Sequence, residues 1–163
     1  LFKKPMGFSG GGETAAFLFF GPIATIGTQY LQGGTFLLPG LFVGISTGLY
    51  SLALLSVNNY RDYEEDSRTG KMTLCSRFGK PAARFLYAAM FPAALTGPIL
   101  LVFISGYPVM FLLPAITLIP GLFCYRKLYR SNPDRSLNTL LFHTSLTMLL
   151  HGLLYAAAAA LCL

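Results

Sequence analysis

The chain has 163 residues, of which 54% are hydrophobic and only 11% are charged, against roughly 25% charged in soluble globular domains. That balance excludes a soluble fold, because 12 basic and six acidic side chains cannot cover a set of long apolar helices. The net charge of +6 is no nucleic-acid footprint either, since such a footprint needs a soluble basic face that this chain lacks.

The opening "LFKKPMGFSGGGE" reads as a loop. It resembles a loop more than a signal peptide, since no basic region precedes a short apolar segment and a cleavage site. The expectation is that the chain is the back part of something longer and shares its site with an N-terminal half. No formal charge then occurs between Glu13 and Arg61, and the turn-like "LQGGTFLLPG" divides this stretch into spans over 14–31 and 36–57; about 20 helical residues cross a hydrocarbon core. Gly21-Pro22 inside the first span predicts a kink or partial break. Gly40, Gly44 and Gly48 recur at intervals of four, a small-residue ridge suited to close helix packing.

Directly after this apolar run comes "NNYRDYEEDSRTGK", residues 58–71, with seven formal charges in fourteen positions. A second charge-free stretch follows and is broken at "SGYP" into spans over 85–104 and 109–125, and a last apolar run gives a span over 139–163. His143 and His151 in that run lie about 12 Å apart along a helix, too far to bind one ion together. They are expected as polar side chains bonded across a helix contact or facing a cavity. Cys75, Cys124 and Cys162 show no metal-ligand or disulfide spacing. The expected fold is an all-α polytopic membrane bundle of five transmembrane helices within one domain covering 1–163.

All twelve Lys and Arg fall in three places: Lys3 and Lys4; Arg61, Arg68, Lys71, Arg77, Lys80 and Arg84; and Arg126, Lys127, Arg130 and Arg135. Five spans put these three places on one side of the membrane. The positive-inside rule then makes 58–84 cytoplasmic, with Gly33-Gly34, Ser105-Gly106 and the C-terminus outside.

If the second helix continues past Val57, Asn58, Asp62 and Asp66 fall at i, i+4 and i+8 on one face, with Arg61 and Glu65 on an adjoining one. Carboxylates grouped this tightly near the low-dielectric zone repel one another and carry a desolvation cost that a cation offsets. Asp and Asn oxygens suit Mg2+ completed by substrate phosphates. The basic residues Arg61, Arg68, Lys71 and Arg77 are close enough in sequence to meet the same phosphates. Together these groups describe a diphosphate site. The simpler alternative is a solvated, salt-bridged loop that anchors topology, and Glu64 and Glu65 need be no more than that.

"NNYRDYEEDSRTGKMTLCSRFG" closely resembles the second aspartate-rich motif of the UbiA-type intramembrane prenyltransferases, in the form found in their 1,4-dihydroxy-2-naphthoate polyprenyltransferase (MenA) branch. The upstream "GGGETAAFLFFGPIATIGTQYLQ" resembles that branch's fifth helix with its preceding Gly-Glu loop. The resemblance runs from about Lys4 to the end and loosens after Tyr87. It implies a nine-helix bundle of which this chain supplies helices five to nine. The first aspartate-rich motif does not occur here, so the resemblance also implies half a metal-diphosphate site, inactive alone unless a partner chain supplies the rest.

By this resemblance Asp62 and Asp66 are the metal-binding carboxylates. Asn58 and Asn59 are polar supports at the cavity wall, and Arg61 and Lys71 are the basic residues that contact diphosphate. Glu13, just before the first helix, is a further substrate-binding candidate. The implied reaction is Mg2+-dependent transfer of a polyprenyl group from polyprenyl diphosphate to 1,4-dihydroxy-2-naphthoate with decarboxylation, giving demethylmenaquinol in menaquinone biosynthesis at the cell (inner) membrane. Another aromatic acceptor is the alternative within this class, and a channel or transporter subunit is the alternative outside it. The latter should keep ionisable groups near the bilayer midplane, where this chain places no Asp, Glu, Lys or Arg.

Overall fold

A computed structural model describes residues 10–162, so Lys3 and Lys4 lie outside the described residues. Helix follows helix: α1 (Gly12–Leu18), a π-helical turn (Phe19–Ile23), α2 (Ala24–Gly33), α3 (Leu38–Arg61), α4 (Tyr63–Thr69), α5 (Leu74–Ala93) and α6 (Thr96–Phe103). A 3-10 segment (Val109–Thr117), α7 (Leu118–Arg130), a 3-10 turn (Arg135–Leu137) and α8 (Asn138–Leu161) complete the order.

Four helical stretches among the described residues are long and apolar enough to cross a membrane: Leu38–Arg61, Leu74–Phe103, Val109–Arg130 and Arg135–Leu161. The expectation of five is therefore corrected to four, and with it the match to helices five to nine of a nine-helix bundle. The expected span over 14–31 is not among them, because its helix is not continuous. Gly21 leaves the helical region at φ −116°, ψ −108°, next to Pro22, which has no N–H to carry the ladder across. The kink was legible in the sequence, and its consequence is that the arm divides into short pieces of seven, five and ten residues.

Those pieces pack along the glycine ridge of α3. A Cβ at Gly21 would lie 2.5 Å from the Gly44 carbonyl oxygen, and one at Gly48 would lie 2.7 Å from the Phe17 carbonyl oxygen. Close approach of this kind is open only to residues without a side chain.

α3 is the central helix. Its Tyr50, Ala53, Val57 and Tyr60 are buried in one cluster with Tyr87 and Phe91 of α5, Cys124 and Leu128 of α7, and Leu140 of α8. Phe91 meets both Tyr50 (5.7 Å) and Tyr87 (5.1 Å) edge to face, the arrangement aromatic quadrupoles prefer. Polar bonds tie the same helices together. Ser46 Oγ donates to the Ala94 carbonyl and lies 2.6 Å from His151 Nε2, while Tyr50 donates to Thr117 Oγ1, which is 3.2 Å from His151 Nδ1. His151 is thus a polar side chain bonded across helix contacts. His143 rests against the Phe123 and Phe142 rings.

The charged segments collect at one end of this bundle. Gly70, at φ 70°, closes α4 in the left-handed region that glycine reaches without strain. A capping box at Thr73 and Ser76 starts α5: Ser76 N–H donates to Thr73 Oγ1 and Thr73 N–H donates to Ser76 Oγ. The turn between α7 and α8 lies at the same end, because Tyr60 donates its hydroxyl to the Ser131 carbonyl and Arg61 donates to Asn138.

Candidate functional site

α3 gives way to α4 at Asp62, whose φ −91°, ψ 10° breaks the regular helix. Hydrogen bonding nevertheless continues across the break. The Asp62 N–H donates to the Asn58 carbonyl (3.0 Å), and the Asp66 N–H donates to the Asp62 carbonyl (2.8 Å). The i, i+4, i+8 relation of Asn58, Asp62 and Asp66 is therefore preserved through the backbone.

The side chains form two separate ion pairs. Arg61 meets Asp62 with two parallel bonds, Nε to Oδ1 at 2.7 Å and Nη2 to Oδ2 at 2.8 Å, the bidentate fork that only arginine provides. Nη2 also donates to Asn58 Oδ1 and Nη1 to Asn138 Oδ1, both at 2.9 Å. These bonds from Arg61 hold the Asp62 carboxyl below the usual carboxylate range. Partial burial works against them, and the charges of Arg61 and Lys71 add to the lowering. Asp66 is buried, and Lys71 Nζ lies 3.1 Å from both of its oxygens. Asp66, Gly70, Lys71, Ser76 and Arg77 border a cavity of about 540 Å³.

The two asparagines face different surroundings. Asn58 borders an open apolar groove of about 580 Å³ with Phe20, Leu54, Leu55, Leu141 and Met148, between the broken arm and α8 on the surface of α3. Asn59 is buried and donates to Glu13 Oε1 at 3.0 Å, which also accepts the Leu74 N–H at 2.8 Å. Glu13 is itself buried and so joins the starts of α1 and α5 to the end of α3. Its place is that of a structural tie beside the site. Glu64 pairs with Lys80 at 3.0 Å in the open, its side chain 59% exposed, and Glu65 is exposed; both are the solvated charges expected of them.

The arrangement puts two carboxylates and two cationic side chains at the charged end of the bundle, beside an apolar groove. Among the described residues no three His, Cys, Asp or Glu side chains converge on a metal site. Asn138 and Ser76 are site neighbours that sequence reasoning missed. Asn138 lies 77 positions from Arg61 and belongs to no spacing pattern, whereas the Thr73-x-x-Ser76 spacing was there to be read as a helix start that fixes the chain beside Lys71.

The sequence pattern of the UbiA prenyltransferase family matches residues 8–161. Over 92 residues the chain is 42% identical to the 1,4-dihydroxy-2-naphthoate octaprenyltransferase of Mycobacterium tuberculosis, covering 56% of this chain and 32% of that protein. The protein of the same name in Escherichia coli is 36% identical over 94 residues, covering 57% and 30%. The UbiA prenyltransferase domain-containing protein 1 homolog of Drosophila melanogaster is 32% identical over 149 residues, covering 90% of this chain and 40% of its own length. The matched segment is thus 30% to 40% of each of these relatives. No solved structure matches the chain.

Proposed function

The chain belongs to the UbiA prenyltransferase family, and from that premise we propose that the whole protein transfers a polyprenyl group from polyprenyl diphosphate to 1,4-dihydroxy-2-naphthoate, giving demethylmenaquinol. One observation carries this reading: Asp62 and Asp66 are held by Arg61 and Lys71 at the charged end of the bundle, one and two turns beyond the Asn58 that borders an apolar groove. The acceptor is supported by the 42% and 36% identities to proteins named for it.

The donor set fits Mg2+. That ion takes one or two carboxylates and completes its shell with water and phosphate oxygens, and Asp62 and Asp66 supply two carboxylates one turn apart along the chain. When bound, the ion supplies positive charge against the departing diphosphate. The chain's own part is binding and charge placement. Arg61 and Lys71, which neutralise the two carboxylates in this structure, are placed to donate to phosphate oxygens, and preorganised donors at developing negative charge lower the barrier to breaking the allylic C–O bond. Phe20 and the aliphatic groove wall accommodate an apolar chain, and the ring face stabilises cationic character at the allylic carbon. Attack by the electron-rich naphthoate ring forms the C–C bond, and the ring carbon that is attacked loses its carboxyl group as CO2. Diphosphate leaves with the electron pair of the C–O bond.

We place the charged end in the cytoplasm and the Leu161 end of α8 outside, in the cell membrane. All ten described Lys and Arg belong to the segments that meet at that end. The functional reading is tested with the full-length protein in membranes supplied with polyprenyl diphosphate and Mg2+, offering 1,4-dihydroxy-2-naphthoate and 4-hydroxybenzoate side by side. Prenylated naphthoate is the expected dominant product. Dominant prenylation of 4-hydroxybenzoate would overturn the acceptor while keeping the chemistry, and residues 1–163 alone should give neither product.

A further inference from the structure

The Arg61 guanidinium is almost fully committed in this structure. Nε and Nη2 bind Asp62, Nη2 also binds Asn58, and Nη1 binds Asn138, which leaves a single Nη1 hydrogen without a partner among the described residues. Asp62 and Asn58 are neighbours of Arg61 on its own helix. Asn138 is different, because it reaches Arg61 from the first position of α8.

The mount of Asn138 is rigid. On one side of it the Asp134 side chain accepts the Ser136 N–H at 2.7 Å and caps the turn that leads into α8. On the other, Leu137 and Leu140 are buried in the core on either flank. Further back, the Ser131 carbonyl accepts both Tyr60 OH (3.3 Å) and Arg84 Nη2 (3.1 Å). The Arg84 guanidinium lies 5.4 Å from the ring centres of both Tyr60 and Tyr129, a cation–π contact on each. The turn between α7 and α8 is thereby fastened to the end of α3 at two points, one through Tyr60 and one through Arg61.

We propose that Asn138 is a positioning residue that holds Arg61 in place when Asp62 turns from Arg61 to a metal-bound diphosphate. This rests on the diphosphate reading given above. Arg61 and a divalent cation compete for the same Asp62 oxygens. With Asn138 and Asn58 still bonded, Arg61 keeps two of its hydrogen bonds after Asp62 leaves and stays oriented toward the phosphates. Without Asn138 the guanidinium keeps one such tether, and Asp62 becomes its best remaining partner, so the cation must displace a stronger ion pair. A carboxylate at position 138 acts in the opposite direction, because a charge-assisted bond draws Arg61 away from Asp62.

The test uses the full-length protein purified in detergent, with geranylgeranyl diphosphate as the probe and thermal protection followed as Mg2+ is titrated. Asn138→Leu should raise the half-saturating Mg2+ about three- to tenfold, the size of one ordinary net hydrogen bond, since this bond is exposed to solvent. Asn138→Asp should leave it unchanged or lower it, and both variants should keep the KM for the aromatic acceptor within about twofold, the scatter expected of residues that do not touch it. Should the leucine variant fail to insert, Asn138→Ala makes the same comparison. A wild-type Mg2+ midpoint in the variant lacking the amide, or a shift in the same direction in the leucine and aspartate variants, overturns the inference alone. Absence of Mg2+-dependent protection in the wild-type protein overturns the diphosphate reading and the inference with it.

Discussion

Asp62 and Asp66 lie one helical turn apart, and each holds a basic side chain, yet their pairs are built differently. Asp62 is half-buried and faces a planar fork that it shares with Asn58 and Asn138. Asp66 is buried and faces a single ammonium that touches both its oxygens equally. A shared fork can pass from one partner to another without losing all its bonds. A buried carboxylate with a single cation has no such alternative, and losing its partner leaves an uncompensated charge. The Arg61 pair is therefore the adaptable half of the site and the Lys71 pair the fixed half.

The largest effect should come from the carboxylates themselves. In the full-length protein, Asp62→Asn or Asp66→Asn should lower turnover by about 100-fold or more, the scale of losing a preorganised electrostatic contact in a transition state, with protein levels in the membrane unchanged. Turnover within tenfold of wild type would show that the carboxylate concerned has no part in the chemistry.

Lys71→Met should separate the two pairs by stability. It strands Asp66, and about 1–3 kcal/mol should be lost in denaturant titrations, less than for a fully enclosed pair because the lysine is a quarter exposed. Arg61→Met should cost less, about 0–1 kcal/mol, since Asp62 reaches solvent. Equal losses would erase the distinction between a fixed and an adaptable half.

The pH dependence of the Arg61 pair sharpens the same contrast. The folded-state pKa of Asp62 is depressed, so the pair's stabilisation is complete above the ordinary carboxylate value and is lost only as pH falls through the lower folded value. The stability difference between wild type and Arg61→Met should hold constant from neutral pH down to about pH 5 and shrink below about pH 4. A difference that fades near neutrality would mean that another group governs the pair.

The smallest effect belongs to the third pair in this segment, Lys80 with Glu64, which stands in solvent. Glu64→Gln should change turnover by less than about twofold and stability by under about 0.5 kcal/mol. Loss comparable to that at Asp62 would dissolve the contrast between site carboxylates and surface charge.

Legibility in the sequence followed the reach of each signal. Charge-free runs marked all four candidate spans, because hydrophobic length is a local property. The same count wrongly added the arm over 14–31, because hydropathy sums residues without regard to continuity, and the break at Gly21 leaves helical pieces too short to cross. The i, i+4, i+8 spacing was readable because helical periodicity fixes it, and its backbone hydrogen bonds run on across the distortion at Asp62. The separate destinations of Asn58 and Asn59 were not readable. Adjacent residues on a helix point about 100° apart, and only the packing of α1 and α5 shows that Asn59 looks inward at Glu13. The tie from Asn138 was equally invisible, since it depends on how the turn before α8 folds back on the end of α3.

The central claim is that Asp62 and Asp66 serve one diphosphate together. A double-mutant cycle on turnover in the full-length protein tests it most directly, using Asp62→Asn, Asp66→Asn and the pair, each at matched membrane levels. Groups that act as a unit are strongly non-additive, so the double variant should be no more than about threefold worse than the poorer single variant. Losses that multiply across the two positions would mean that the carboxylates act independently, and would contradict a shared site.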